Sequence, residues 1–294
     1  MSVVRSLSRA ASALTVALTL AFAPAAVAKP PVWVVRSGAT TILLFGSIHL
    51  LPPGLDWRPP ALDAALAKAD EVWFELPITP ATDNEAAAAS LARGALPKGR
   101  SLTAMMTPDE AKRLVDAGVS LNCAPEALDR MQPWMADLTL SIAADARSGA
   151  SASEGVEGLI EAATPATARQ RAFETATQQI GFLAGAPVKD QLASLNLTVS
   201  QIQDDPTSYQ RVVQEWMSGD LPGLQRDAID PLRRISPIML GRLIDARNQH
   251  WASVLEARLK KPGRVVVVVG VGHLIGSGGV PALLRAKGYV VEGP

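Results

Sequence analysis

The chain has 294 residues, with 28 lysine and arginine residues against 28 aspartate and glutamate residues, and a single cysteine. This balance gives no electrostatic reason to bind nucleic acid, and no basic cluster alternates with aromatic residues, so we expect no nucleic-acid partner. One cysteine, Cys123, excludes an intrachain disulfide and a thiolate zinc site, so any metal ion must be held by histidine and carboxylate side chains. Since 48% of the residues are hydrophobic, a packed core is expected over most of the length.

Residues 1–28 have the pattern of a secretory signal peptide. Two arginines precede the apolar run 13–27, which ends in the small-x-small sequence Ala26-Val27-Ala28. A permanent membrane anchor is the less favoured alternative, because Pro24 interrupts the run and the run is shorter than the roughly 20 residues that a span needs. We therefore expect cleavage after Ala28 and a periplasmic or secreted protein, residues 29–294, without a membrane span.

The mature chain is predicted to open with the order β-β-α-β. Two β-prone runs, 32–36 and 41–45, flank a glycine-containing turn, which is typical of a hairpin. Residues 60–69 have helical spacing, and residues 71–76 return to a strand pattern.

The middle of the chain, about 81–260, is predicted to be a large helical insertion within a single domain. Three of its helices are expected to begin at the pairs Thr107-Pro108, Gln132-Pro133 and Asp205-Pro206. The five consecutive valines 265–269 then predict a central strand buried on both faces. A helix over 279–287 and a strand over 289–291 follow. We therefore expect an α/β fold in which the N- and C-terminal segments form a central mixed β-sheet.

Two segments share one local pattern, in which a buried strand is followed by glycine, two residues and histidine. They are Gly46-Ser47-Ile48-His49 and Gly270-Val271-Gly272-His273. Ligands of open α/β sheets bind beyond the carboxyl ends of the strands, where glycine lets the backbone turn tightly. We therefore expect His49 and His273 to meet in one crevice, although a single histidine after a strand is more often structural.

Glu75 is the carboxylate that the pattern offers to complete this site. It lies in the apolar run 72–76, and glutamate is rarely buried without a partner. The alternative is that Glu75 faces solvent on an edge strand. Two imidazoles and one carboxylate suit manganese, cobalt, iron or zinc, and leave coordination positions open for water and substrate.

These segments resemble the TraB/GumN family, whose animal relatives are the Tiki proteases. The resemblance rests on both Gly-x-x-His segments, on Glu75 and on the C-terminal stretch 269–289, and it covers about 32–291. Further matches inside the insertion are Gln132-Pro133-Trp134, Gly155-Val156-Glu157, Phe173-Glu174-Thr175 with Gln178, and Arg247-Asn248. Two positions depart from the family pattern: Ser47 stands where threonine is frequent, and Glu157 where aspartate is common. Glu157 is therefore not among the first-rank site residues.

The resemblance implies a metal-dependent hydrolase that acts on a peptide or protein substrate, on a fold shared with erythromycin-esterase-like and haem-binding ChaN-like proteins. His49, His273 and Glu75 match the histidines and the acidic residue of the family. They are expected to hold a divalent ion, with manganese or cobalt ahead of zinc. Glu75 is expected to act either as a ligand or as the general base, and the oligomeric state stays open.

Other residues are candidates of second rank or of uncertain role. Arg247 and Asn248 are expected to stabilise an oxyanion or a substrate carboxylate, or else to form a structural ion pair and a helix hydrogen bond. Glu174 and Gln178, four positions apart on a predicted helix, either reach inward together or pair with each other. His250 shares a helix face with Arg247 and either approaches the site or, as is more common for such a position, faces solvent or core. The second-rank candidates are Gly46, Gly270, Glu174, Gln178 and His250.

Two alternative functions use the same residues. One is a protein that holds haem or another ligand in the crevice without turnover. The other is a metal-free, esterase-like hydrolase in which histidine is the base.

Overall fold

The computed structural model describes residues 29–294, so the predicted signal peptide, residues 1–28, lies outside the described residues. Its centre is a mixed six-stranded sheet with the strand order β4-β3-β5-β2-β1-β6. The strands are β1 Val32–Ser37, β2 Thr40–Ser47, β3 Glu71–Phe74, β4 Arg169–Ala172, β5 Gly263–Gly270 and β6 Val290–Glu292. Strand β1 is antiparallel to β2 and β6, whereas β2, β5, β3 and β4 run parallel to one another.

Helices make up most of the rest of the described chain. They are α1 Pro60–Leu66, α2 Pro80–Gly94, α3 Pro108–Ser120, α4 Pro125–Leu128, α5 Pro133–Arg147, α6 Val156–Ala163, α7 Ala176–Ala184, α8 Val188–Asp204, α9 Ser208–Ser218, α10 Leu221–Leu224, α11 Asp230–Ile235, α12 Pro237–Leu240, α13 Ala246–Leu259 and α14 Val280–Ala286. Two π-helical turns, Gln225–Ile229 and Gly241–Asp245, join successive α-helices. Within 29–294, no helix combines the length and the apolar character that crossing a membrane requires.

The α/β fold with a helical insertion is confirmed, and so are the hairpin and the β-β-α-β opening. Helices α3 and α5 begin at the predicted proline residues, but α9 begins at Ser208, two residues after the predicted start. The insertion also contributes strand β4 to the edge of the sheet, which the sequence did not predict. The reason is that β4 has the polar sequence RQRA and is mostly exposed, so no run of β-branched residues marks it.

The valine run forms the centre of the sheet, as predicted. Strand β5 pairs in parallel with β2 on one side and β3 on the other, and residues 265–269 are all at most 2% exposed. A strand with neighbours on both sides and buried side chains on both faces needs apolar residues at every position, which explains the loss of alternation.

Replacing Val267 with alanine is expected to lower the free energy of unfolding by about 1 to 3 kcal/mol, because two buried methyl groups are lost from a packed interior. Urea unfolding of both proteins measures the change. Val290→Ala is the matched control, since Val290 lies in edge strand β6 and is 70% exposed. The control is expected to change stability by less than about 0.5 kcal/mol. Equal losses in the two variants would contradict the central position of Val267.

The helical insertion has a second apolar cluster of its own, separate from the core around the sheet. Helices α3, α5 and α8 supply most of it, with Leu114, Leu140 and Leu195 at most 1% exposed. This part of the chain therefore does not depend only on the sheet for its burial.

Asp145, near the end of α5, is expected to make stability depend on pH. Burial raises the pKa of Asp145 to about 6, so the folded protein holds this proton more tightly than the unfolded chain does. The free energy of unfolding therefore falls as the pH rises from about 4 to about 6. At pH 8 the full destabilisation by the buried, ionised carboxylate is present. Asp145→Asn is expected to stabilise the protein by about 1 to 3 kcal/mol at pH 8 and by little at pH 4. Thermal unfolding at both pH values measures this, and an equal gain at both would show that ionisation is not the cause.

Candidate active site

The two Gly-x-x-His segments leave the sheet side by side. Strands β2 and β5 are parallel neighbours, with Gly46 opposite Val269 and Ser47 opposite Gly270. A Cβ atom built on Gly270 would lie 3.7 Å from Cδ2 of His273 and 3.9 Å from Nε2 of His49. The two histidines therefore meet at the carboxyl ends of the strands, as the shared pattern predicts.

Both glycines bring backbone close to another group of the site. A Cβ on Gly46 would come within 2.8 Å of the Val271 side chain, so the two segments pack directly on each other. The N–H of Gly270 donates to Oε1 of Glu75 at 2.7 Å, and a Cβ there would lie 3.2 Å from the same oxygen. Glycine at these positions thus lets the strand ends and the carboxylate approach closely.

Glu75 is buried and ionised. It is the first residue after β3, a strand that lies between β4 and β5, so the alternative of a solvent-facing position on an edge strand is excluded. Its Oε2 accepts hydrogen bonds from Nη2 of Arg247 at 2.5 Å and from Nε2 of Gln179 at 3.0 Å. Burial opposes its ionisation, but His273, Arg247 and the Gly270 N–H outweigh burial and lower the pKa of Glu75 to about 2.

His273 is buried and held in one tautomer. Its Nδ1 lies 2.6 Å from Oδ1 of Asn248, while Nδ2 of Asn248 donates to the carbonyl of Gly278. The Asn248 oxygen therefore faces the ring, and Nδ1 of His273 carries the proton. Nε2 then accepts a hydrogen bond from Nη1 of Arg247 at 3.0 Å and lies 3.8 Å from Oε1 of Glu75. Burial lowers the pKa of His273 to about 4, so the ring is neutral at pH 7.

His49 is held by a carboxylate instead of an amide. Its Nδ1 lies 2.7 Å from Oε1 of Glu157, an oxygen that also accepts from the hydroxyl of Ser47. The negative charge of Glu157 raises the pKa of His49 to about 9. The His49 side chain is 63% exposed, whereas that of His273 is 4% exposed. Of the two histidines, His49 is therefore the one that is accessible from solvent.

Arg247 joins the buried groups of the site. Its guanidinium pairs with Glu75 and also binds Glu174 through Nε at 2.8 Å and Nη2 at 2.9 Å. Glu174 accepts a further hydrogen bond from Nε1 of Trp251, whose ring lies 4.8 Å from the guanidinium carbon. The structural ion pair expected for Arg247 is therefore present, and Arg247 also donates to His273. Its expected role toward an oxyanion or a substrate carboxylate stays a prediction.

Two residues of the predicted set lie elsewhere. Gln178 caps helix α7 in a reciprocal pair with Thr175, and His250 is exposed on α13. Glu174 precedes α7, so the premise that Glu174 and Gln178 share a helix face is wrong. The sequence Thr-x-x-Gln is typical of a reciprocal cap at the start of a helix. This pattern could have shown that Gln178 caps a helix that begins after Glu174.

Three residues have roles that the sequence did not assign. Gln179, next to the predicted Gln178, donates to both Glu75 and Glu174. Glu157, which the sequence analysis set aside, contacts His49 directly. Asn248 is fully buried and orients His273, so it does not face a substrate as one of the expectations had it.

A groove of about 310 Å³ opens over the site. His49, Glu75 and Glu157 line one part of it, and the loop and helix after β3 contribute apolar and polar walls that include Ile78 and Asp83. His49 and Glu75 therefore both face this groove.

The site contains donor groups of the types that bind divalent ions. Each imidazole gives its Nδ1 proton to an oxygen of Glu157 or Asn248, so Nε2 is the nitrogen directed toward the site, the arrangement that metal-binding histidines adopt. Because the pKa of His49 is raised to about 9, His49 must lose the proton on Nε2 before it can bind an ion. Within 29–294, however, no group of three or more histidine, cysteine, aspartate or glutamate side chains is close enough together to hold a metal ion. Since Arg247 already donates to Nε2 of His273, an ion at that nitrogen competes with the arginine.

The chain is similar to known proteins over most of its length. The chain is 25% identical over 257 residues to the uncharacterized protein YbaP of Escherichia coli (strain K12), which covers 87% of this chain and 92% of YbaP. It is 26% identical over 243 residues to YbaP of Shigella flexneri, covering 82% and 87% of the two chains. No solved structure matches. The sequence model of the TraB/PrgY/gumN family matches residues 31–293, nearly all of the described chain, and the protein therefore belongs to the TraB/PrgY/gumN family.

Proposed function

We propose that the protein is an exported, metal-dependent hydrolase of peptide bonds. The observation that carries this proposal is the pair of anchored imidazoles, His49 and His273, whose Nε2 atoms both lie near the ionised Glu75. Such a set suits manganese or cobalt as well as zinc. Export rests on the signal-peptide pattern of residues 1–28.

His49, His273 and Glu75 would hold the ion. When bound, the ion supplies a Lewis acid that polarises a scissile carbonyl and makes water more acidic. Glu75 acts as a ligand in this proposal and not as the general base: its two oxygens offer about four lone-pair positions, and the hydrogen bonds from Gly270, Arg247 and Gln179 use three of them. A pKa of about 2 also makes Glu75 a weak proton acceptor at neutral pH.

A metal-free hydrolase is a second candidate, and one observation favours it. His49 is exposed in the groove and its Nδ1 is oriented by Glu157, which is how a histidine general base is commonly held. In that mechanism Nε2 of His49 takes a proton from the attacking water, and because the pKa of His49 is raised to about 9, this step requires alkaline pH. Arg247, already bonded to His273, needs no displacement.

Haem binding, the remaining alternative, has less support. His273 is 3% exposed and its Nε2 faces Arg247, so a porphyrin cannot reach this nitrogen without rearrangement of the ion pairs around Glu75.

Removal and restoration of metal separate the two hydrolase candidates. Peptide hydrolysis is measured on the purified protein with a peptide library, after exhaustive chelation and after addition of Mn²⁺ or Co²⁺. The proposal predicts that chelation abolishes hydrolysis and that either ion restores it. Hydrolysis that survives chelation and is lost in His49→Ala would support the metal-free mechanism. Absence of hydrolysis under all conditions would contradict both.

A further inference from the structure

A second cavity lies at the opposite end of the sheet from the candidate active site. It has a volume of about 680 Å³ and opens beside the first residues of β3 and β4, where Glu71 and Arg169 begin these strands. His49 and His273 follow the last residues of β2 and β5, so the two sites are separated by the length of the parallel strands. Its chemistry is therefore independent of the proposed hydrolysis.

The cavity carries more positive than negative charge. Four cationic side chains line it, against the two carboxylates of Asp70 and Glu71. Asp70 is already paired with Arg264, which lies outside the lining. The four cations are Arg169, Arg171, Arg258 and Lys261, an excess of two over the carboxylates of the lining.

One buried carboxylate is shared by three of these cations. Glu71 is 6% exposed, and its oxygens lie 3.1 Å from Nη2 of Arg169, 3.4 Å from Nε of Arg258 and 3.8 Å from Nε of Arg171. It also accepts from Nε1 of Trp73 at 2.9 Å. A single negative charge cannot neutralise three guanidinium groups, so part of their hydrogen-bonding capacity and charge faces the cavity.

The exposed fraction of each arginine side chain indicates which of the three can contact a ligand. The side chains of Arg169 and Arg171 are 70% and 49% exposed, while that of Arg258 is 9% exposed and fixed by bonds to the carbonyl groups of Lys261 and Pro262. Arg258 and Glu71 thus form a rigid base, and Arg169 and Arg171 are free to turn toward a bound anion. Trp73 adds an aromatic wall.

We propose that this cavity binds a phosphate-bearing ligand. Four cations against two carboxylates leave two positive charges, which a phosphate or diphosphate group matches, and guanidinium forks suit its oxygen geometry. The volume exceeds that of an inorganic phosphate, so the remainder of the ligand lies against Trp73 and the apolar side chains beside it. The same chemistry occurs in a soluble phosphate ester and in an anionic lipid headgroup.

Inorganic pyrophosphate is the probe for this site, titrated into the purified protein by calorimetry at low salt. Binding of one pyrophosphate per chain is expected, with an affinity that falls as salt is added. Arg171→Ala is expected to weaken binding at least tenfold. Arg36→Ala is the matched control, because Arg36 is also a half-exposed strand arginine paired with one glutamate, Glu292, at 3.1 Å. Its affinity is expected to stay within twofold of the parent.

Sedimentation with phosphatidylglycerol vesicles, compared with phosphatidylcholine vesicles, identifies the source of the phosphate. If the protein binds vesicles only when they contain phosphatidylglycerol, and Arg171→Ala abolishes this binding, the ligand is a lipid headgroup. If the protein binds pyrophosphate but not the vesicles, the ligand is a soluble phosphate ester. Thermal unfolding checks that both variants are folded. The proposal is overturned when the parent protein binds neither probe, or when Arg171→Ala and Arg36→Ala weaken binding equally.

Discussion

Replacing Arg247 with methionine is expected to lower the free energy of unfolding by about 3 to 5 kcal/mol. The guanidinium is 10% exposed and pairs with two carboxylates, Glu75 and Glu174, that are themselves at most 9% exposed. Without it, two buried negative charges lose their counter-ion, and His273 loses a hydrogen bond at Nε2. Methionine keeps most of the apolar part of the arginine side chain. The loss of stability is therefore due to the missing charge and hydrogen bonds. Urea unfolding at pH 7 measures the effect.

Arg36→Met is the control for this experiment. Arg36 pairs with Glu292, but both side chains are 56% exposed, and such surface pairs contribute little. Its stability is expected to stay within about 0.5 kcal/mol of the parent. If Arg247→Met cost no more than this control, the network around Glu75 would not be the buried ion cluster described above. Adding Glu75→Gln and Glu174→Gln to Arg247→Met is expected to restore part of the loss, since the unpaired charges are removed.

Alanine at His49 or His273 is expected to reduce metal-restored peptide hydrolysis by about 10³-fold or more, and the double variant to lose little further activity. The reason is that residues acting together on one group give strongly non-additive losses. His49→Ala is the cleaner variant, because the His49 side chain is 63% exposed and its removal leaves the core intact. His273 is buried, so its variant is assayed at a temperature where thermal unfolding shows it folded.

The third histidine supplies the matched control for activity. His250 is exposed on α13, and His250→Ala is expected to keep hydrolysis within about twofold of the parent, since surface substitutions rarely matter. Losses at His49 and His273 that multiply in the double variant would mean that the two histidines act independently. A comparable loss in His250→Ala would show that the assay reports something other than this site.

The sheet and the meeting of the two histidines could be predicted because both depend on local patterns. Five consecutive valines identify β5 without any knowledge of its neighbours, and the repeated Gly-x-x-His places both histidines after a strand. Once β2 and β5 are parallel neighbours, the histidines must lie at the same edge. Each step needs only the strand period and the direction of the chain.

The partners of these residues could not be predicted in the same way, because they come from distant elements. Arg247 reaches Glu174 across 73 residues and Glu75 across 172 residues, so no sequence spacing signals the pairs. Asn248 of α13 orients His273 across 25 residues, again with no spacing that signals the pair. Strand β4 was missed for a different reason, since its polar, exposed residues carry no strand signal.

Binding of Mn²⁺ to the purified, chelated protein is the most direct test of the proposed metal site, measured by calorimetry together with elemental analysis. We expect one ion per chain in the parent and in His250→Ala, and loss of that ion in both His49→Ala and His273→Ala. A parent protein that binds no divalent ion would contradict the account, as would His49→Ala and His273→Ala variants that bind Mn²⁺ with unchanged affinity.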